Sequence, residues 1–378
     1  MLTNRSHLHL PDGVSFVANI RRLCFALLVL LPASPWASDL IATFSIVARD
    51  PVTQDLGVAV QSKYFDVGSV VPHAQAGVGA LATQARGNIL YGTQGLSLLA
   101  SGRSPAETLK QLLKDDPLRE QRQVGLIAAD GSAATFTGNE TLPWSGGKTG
   151  ENYAVQGNLL AGPEVVDSMA AAFETTDADL ATRFVTALAA GQAAGGDARG
   201  RQSAALLVVR KGAGYMSAND RLVELEVEDH PTPIKELRRL LGIRLSQLAV
   251  SEAHAALRDA RNPDAQQLRA RAIEHARSKA IEAVELYEFS DAGFIALAGA
   301  EAEAGNLAAA SEAARQALLL NPVLKRYSVI PETGLGIQPS LLERLLQETS
   351  FRKVWDALPG DDQVDAAILN SEPVEAAE

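Results

Sequence analysis

The hydrophobic and polar positions fall into two regimes. From Thr43 to Val227, short apolar runs alternate with turn residues. Thr43-Phe44-Ser45-Ile46-Val47-Ala48 is β-branched and strand-like, Arg49 to Asp55 is rich in turn formers, and a second run follows around Gly57-Val58-Ala59-Val60-Gln61-Ser62. Two such runs joined by a Pro/Asp turn predict a hairpin. Val78 to Thr83 predicts a third strand of small residues, which lets a backbone or a ligand approach closely. Gly95 to Ser101 and Pro105 to Lys114 read as helices. The second carries Leu109, Leu112 and Leu113 on one side and starts at Ser104-Pro105-Ala106-Glu107, with a serine cap, proline at the first position and glutamate at the third. Gln123 to Ala128 and Ala133 to Thr137 flank Asp130-Gly131, a hairpin turn signal. Further strands are expected over Tyr153–Leu160, Ala204–Val209 and Met216–Val227, with helices over Glu164–Phe173 and Asp177–Gly191.

The second regime begins after Asp229-His230-Pro231-Thr232-Pro233, a proline-stiffened linker. From Ile234 onward the chain is alanine-rich, with helical periodicity and no strand signal. Phe294, Leu297, Ala298, Gly305, Ala310, Ala317 and Pro322 fall at tetratricopeptide (TPR) spacing. About 34 residues earlier Ala276 and Ala283 keep register, while Glu288 stands at the proline position. Flanking helices are expected over Ile234–Arg261 and Gln338–Ala357.

The first residues read differently again. Arg21 and Arg22 precede the apolar run Leu23 to Leu31, and small residues follow up to Ala37. That is the pattern of an export signal, and the run is short of the about 20 apolar residues of a membrane span. The expected organisation is therefore a signal peptide over 1–37, a first domain over 38–230, a TPR-like helical domain over 234–358 and an acidic tail over 359–378. Export to the periplasm or the medium is the expected location. Cys24 is the single cysteine and lies inside the apolar run, so the exported part would carry no disulfide, thiolate nucleophile or cysteine ligand. The net charge of −11 excludes a nucleic-acid binder, which needs a basic face. Six histidines without ligand spacing suggest no metal site, and no cofactor is expected. Gly146-Gly147-Lys148-Thr149 is not a phosphate loop, because Leu142 stands where the first glycine would be; these glycines are expected to shape a loop.

TFSIVARDP from Thr43, GVAV-x-SK, ATQA, RQVG, AVQGN-x-LAGPEVV and GGDARGRQSAALLVV resemble, in order, the DUF1028 family. Its members have the N-terminal-nucleophile (Ntn) hydrolase fold and no assigned reaction. The resemblance covers Thr43 to about Leu240. It implies an α+β architecture, a four-layer αββα sandwich, followed here by the all-α helical region.

The resemblance also makes Thr43 the candidate nucleophile. Ntn hydrolases use an N-terminal Thr, Ser or Cys whose own α-amine, of ordinary pKa near 8, serves as base. Cleavage after Ala42 would expose Thr43, whereas cleavage after Ala37 starts the chain at Ser38 and leaves the amine too far away. A structural strand-start threonine is the other reading. Lys63 could lower the pKa of the amine, or be a solvated strand-end lysine. Threonine-type Ntn peptidases carry an Asp near the nucleophile; here Gln61 and Ser62 occupy the comparable strand end. Asn158, in Gln156-Gly157-Asn158, could donate to an oxyanion or pin a loop; buried amides in either role need partners. Ser62, Gln84, Asn88, Asp197, Arg199, Gln202 and Ser203 are the candidate substrate contacts, the arginine-rich loop before Ala204 suiting a carboxylate. Two functions follow as expectations: an exported amidohydrolase acting on a small molecule or peptide, or a non-catalytic protein that holds a partner, or itself, through the TPR-like region.

Overall fold

The computed structural model describes residues 43–262, 268–328 and 337–358. The expected signal peptide, Ser38 and the acidic tail lie outside the described residues.

The hairpin forms as its pattern predicts. β1 (Thr43–Arg49) and β2 (Leu56–Ser62) pair antiparallel, with Thr43 opposite Ser62 and Arg49 opposite Leu56. Asp50 Oδ1 closes the turn by accepting the backbone N–H groups of Val52 and Thr53, the local side-chain bond that favours aspartate in turns. β3 (Pro72–Gln75), β4 (Gly79–Ala85), β5 (Arg122–Ala128) and β6 (Ala133–Thr137) form a four-stranded sheet in that order. β7 (Gly146–Gly150), β8 (Tyr153–Asn158), β9 (Ser203–Val209) and β10 (Arg221–Val227) join the hairpin in a six-stranded sheet of order β10-β9-β2-β1-β8-β7. Both sheets are antiparallel.

Three differences from the sequence expectation concern sheet edges. Gly146 to Thr149, expected as a loop, is the edge strand β7, held by β8. Pro72–Gln75 is an edge strand with no apolar run to announce it. The last strand starts at Arg221, because Met216 and Ser217 adopt left-handed backbone and turn the chain before it.

Alternation decides what each face buries. Val47, Leu56, Val58, Val60, Ala154, Ala205 and Val209 of the larger sheet meet Ala80, Ala82 and Ile127 of the smaller one, so the two sheets face each other. On the smaller sheet's other face, Leu81, Val124 and Leu126 pack against α1 (Leu90–Ala100) and α2 (Pro105–Leu113). The reciprocal Ser104/Glu107 capping box starts α2. On the larger sheet's other face, Phe44, Ile46 and Leu206 pack against α3 (Glu164–Thr175) and α4 (Leu180–Ala193) through Met169, Phe173, Phe184 and Leu188.

One buried ion pair ties α1 and α2 to the strand beneath. Arg122 Nε donates to Asp116 Oδ2 at 2.8 Å and Tyr91 Oη donates to the same oxygen at 2.5 Å. Burial alone would raise the Asp116 carboxyl, but hydrogen bonds from Arg122, Tyr91 and the Leu118 N–H, with the Arg122 charge, outweigh it and hold the pKa at about 2. A carboxyl whose pKa is depressed in the folded state stabilises fully above its unfolded value and loses that contribution as pH falls through the folded value. We expect about 2 kcal/mol of stability to disappear between about pH 5 and pH 2. In Asp116→Asn, acid unfolding followed by circular dichroism should lose that part of its pH dependence.

The remaining described residues are helical: α5 (Pro233–Arg261), α6 (Arg269–Leu286), α7 (Asp291–Glu303), α8 (Leu307–Leu320), α9 (Leu324–Ser328), α10 (Pro339–Leu345) and α11 (Thr349–Ala357). Alanines let the helices approach closely; Ala253, Ala280 and Ala296 meet at one crossing, and Ala298, Ala310 and Ala317 contribute to a larger core. Gly305, at φ +86°, makes the turn between α7 and α8, a conformation that costs other residues strain. α5 belongs to both parts: Ile234, Leu237 and Leu241 are buried with α4 and β10, and Ala249, Val250, Ala253, Ala256 and Leu257 with the helices that follow. Arg244 adds two hydrogen bonds, at 3.0 and 2.8 Å, to the Leu222 carbonyl of β10. Among the described residues no helix is long and apolar enough to cross a membrane.

Candidate active site

Strand register gathers the site. Thr43 of β1 lies opposite Ser62 of β2 and Asn158 of β8, and Ser62 lies opposite Ser203 of β9. Directly paired residues share a face, so four polar side chains stand in one row on the face turned to the other sheet. One pair further along, Ser45 lies opposite Gln156. All six are at most 3 % exposed. Beyond them the same face turns apolar, at Val47, Val58 and Leu56. The polar row thus occupies one end of the space between the sheets.

The smaller sheet answers with amides, and the hydrogen bonds run as a chain. Thr43 Oγ1 donates to Ser62 Oγ at 3.0 Å. Gln156 Nε2 donates to Ser45 Oγ at 2.6 Å, and Ser45 Oγ donates to Gln84 Oε1 at 2.6 Å. Gln84 Nε2 donates to Gln123 Oε1 at 2.8 Å and to the Thr43 carbonyl at 3.2 Å. Asn158 Nδ2 also donates to Gln123 Oε1, at 3.0 Å. Gln123 Nε2 in turn reaches the Gly157 carbonyl at 2.7 Å and Thr137 Oγ1 at 2.9 Å. Away from water, each link is stronger than it would be in solvent and polarises the next. Gln156 Oε1 has no partner among the described residues. It lies where a Cβ on Gly125 would come within 2.0 Å of it, so a glycine on β5 is what makes room for this amide.

Of the residues nominated from sequence, Thr43, Ser62, Asn158 and Gln84 come together in this cluster. The others do not. Lys63 is exposed, and its backbone N–H donates to Asp197 Oδ2 at 2.9 Å. Asp197 is 2 % exposed and also pairs with Arg199, whose Nη2 lies 3.0 Å from Oδ2. Ser203 Oγ donates to the Tyr64 carbonyl at 2.5 Å and accepts the Val67 N–H at 3.2 Å. The Gln202 N–H donates to the Ser62 carbonyl at 3.0 Å, and its carbonyl accepts from His230. These residues pin the segment leaving β2 rather than presenting their charges to a ligand. Asn158 is part of the pinning too, through the Gln123 bond, yet an amide has two donor hydrogens and only one is used among the described residues. Asn88 lies just before α1, where Oδ1 accepts the Leu90 N–H at 3.2 Å, and lines a surface groove with Gln94 and Gln111.

Sequence reasoning passed over Gln123 and Thr137, and saw Ser45 only as one of several strand-end hydroxyls. The available signal was a glutamine inside the otherwise apolar Gln123-Val124-Gly125-Leu126-Ile127; its partners come from β4, β6, β7 and β8, which no local pattern identifies. The cluster consists of neutral hydroxyls and amides. It can orient a hydroxyl and stabilise an oxyanion, and it contains no carboxylate or imidazole to act as base. Among the described residues there is no grouping of three or more His, Cys, Asp or Glu fit for a metal ion.

The family described as "Family of unknown function (DUF1028)" matches residues 43–237. Among solved structures, the chain is similar to the crystal structure of protein SPO2555 from Silicibacter pomeroyi, at 31 % identity over 53 % of this chain and 88 % of that one, with a TM-score of 0.49. No curated protein matches the chain.

Proposed function

The chain belongs to the DUF1028 family, and from that premise we propose that it is an exported amidohydrolase of the Ntn type, with Thr43 as nucleophile. The observation that carries this reading is the buried Thr43–Ser62–Asn158 row at the head of β1, where the family match also begins. Two facing sheets with a helix pair on each outer face support the αββα sandwich on which the reading depends.

In this reading Thr43 Oγ1 adds to the carbonyl carbon of an amide. The base must come from outside the neutral cluster, and the α-amine of Thr43 supplies it once the bond from Ala42 has been cut. The amine takes the hydroxyl proton and passes it to the leaving nitrogen. Water then attacks the resulting ester, yielding the acid and the free hydroxyl. The unused hydrogen of the Asn158 amide would serve the oxyanion, a contribution of order a hundredfold or more in rate. Ser62, already hydrogen-bonded to Thr43, would keep the hydroxyl in place. Arg199 is matched by Asp197, so it contributes little to selecting an acidic substrate; we assign the substrate only as an amide of a small molecule or peptide.

The reading makes activity conditional on processing. The intact mass of the protein recovered from its native host should correspond to a chain starting at Thr43, and only that form should turn over substrate. A fully active chain that starts at Ser38 or earlier would overturn it.

A second reading, a non-catalytic protein that holds a partner through TPR-like helices, is favoured by the close alanine crossings and the buried seam of α5 to α7. Absence of turnover by the Thr43-initiated form on acyl-amide and aminoacyl p-nitroanilide panels, with a partner retained by the helices, would carry it.

A further inference from the structure

The helical region contains a cavity of about 470 Å³, within the range of small-molecule sites and independent of the Thr43 cluster. Its wall is aliphatic: Leu257 from α5, Ile295 and Ala298 from α7, Leu324 from α9, and Ile337 and Leu341 at α10. Gly299 also lines it, and there a Cβ would come within 3.2 Å of Leu257 Cδ1. A side chain at this position would project toward the space that the glycine leaves open.

The polar part of the lining is not neutral. His254, Arg258 and Arg261 follow at i, i+4 and i+7 on α5, so they share one helix face. Arg261 is matched by Glu303 at 2.7 Å, and Glu303 also pairs with Arg269 at 2.9 Å. Asp291, the acidic residue of the lining, accepts from Asn321 Nδ2 at 2.5 Å and from the Ala292 N–H at 2.8 Å. Arg258 has neither an ion-pair nor a hydrogen-bond partner among the described residues, whereas Asp291, which has no cationic partner either, is engaged by two neutral donors at the start of α7. The neighbouring His254 responds to the same field: burial, then Arg258 and Arg261, push its pKa down, so at neutral pH the ring adds no charge.

An aliphatic chamber with a guanidinium that makes no contact of its own is complementary to a ligand with one anionic head and one aliphatic tail, the Asp291 carboxylate being already engaged by Asn321 and the Ala292 N–H. We infer that this cavity binds a monoanionic amphiphile of the medium-chain carboxylate class, with its tail against Leu257, Ile295, Leu324 and Leu341 and its carboxylate on Arg258. Guanidinium and carboxylate make the parallel two-bond contact that a single ammonium does not.

The test is calorimetric titration of the full chain with decanoate at pH 7.5, alongside decanol and decyltrimethylammonium. Saturable one-to-one binding of decanoate is expected, with decanol at least tenfold weaker and the cation weaker still. Arg258→Glu should cost decanoate at least tenfold and leave decanol unchanged. Arg258 is exposed, so this variant should keep the parent's circular dichroism. Gly299→Leu, which fills the chamber, should remove binding of both. Equal affinity for decanoate and decanol, a stoichiometry above one, no saturable decanoate binding, or an unchanged decanoate affinity in Arg258→Glu would each overturn the inference.

Discussion

Thr43→Ala is expected to lower turnover by about a thousandfold or more while changing unfolding stability by about 1 kcal/mol. The two effects separate because the hydroxyl does two unequal jobs. In the folded chain it makes the 3.0 Å bond to Ser62, one neutral hydrogen bond in a network of hydroxyls and amides. In the proposed reaction it is the atom that forms the covalent bond, and neighbouring Ser62 does not substitute, because its backbone carries no free amine. Thr43→Ser should preserve most of the activity, since hydroxyl and amine both remain. Single-turnover kinetics on the Thr43-initiated form, with urea unfolding of the same samples, make the comparison. Alanine and threonine forms of equal activity would remove Thr43 from the chemistry and leave it a strand-start residue.

The largest effect on stability is expected at Gln123. Its amide accepts from Gln84 and Asn158 and donates to the Gly157 carbonyl and Thr137. Gln123→Leu keeps the volume and breaks all of these bonds, including a further one from Nε2 to the Gly146 carbonyl at 3.2 Å. Gln84 Nε2 retains the Thr43 carbonyl, but Asn158 Nδ2 and the Gly157 carbonyl lose these contacts inside the protein. Each buried group left unsatisfied costs about 1–3 kcal/mol, so a loss of about 3 kcal/mol or more is expected, a large share of the about 5–15 kcal/mol that holds an ordinary domain folded. Urea unfolding measures it directly. Pairing Gln123→Leu with Asn158→Leu should cost less than the sum, because the second substitution removes the donor that the first one orphaned. Strict additivity would mean that the two amides do not act as a unit.

Much of this architecture was legible in the sequence where burial on one face leaves a period. The β1–β2 hairpin, the capped start of α2 and the β5–β6 pair follow from alternation and turn chemistry. The edge strands were not legible for the converse reason. Pro72-His73-Ala74-Gln75 is only half-buried and Gly146-Gly147-Lys148-Thr149-Gly150 is mostly exposed, so neither apolar alternation nor β-propensity marks them. In the site, Thr43, Ser62, Gln84 and Asn158 could be nominated from strand ends and family resemblance. Gln156 stood out as an amide inside a strand, and the expectation that such amides find partners holds for its Nε2. Gln123 could not be found, because what distinguishes it is register across two sheets. The loop residues Asp197, Arg199 and Ser203 looked like a pocket wall because charge in a loop gives no sign of whether it faces a ligand or holds the backbone; Lys63 N–H and the Tyr64 carbonyl are what they hold.

The continuous helix α5 has a geometric consequence. Its first turns are clamped by Val223, Val227 and Leu188, and its later turns carry Ala253, Ala256 and Leu257 into the helical array. The two parts of the chain are thus joined by a rigid shaft, whose phase is set by residue count. One residue added near the middle of α5 would turn everything beyond it by about 100° and advance it by about 1.5 Å. A lineage that keeps both ends clamped can therefore vary this helix in length only by near-whole turns, whereas a loop in the same place would have absorbed any number.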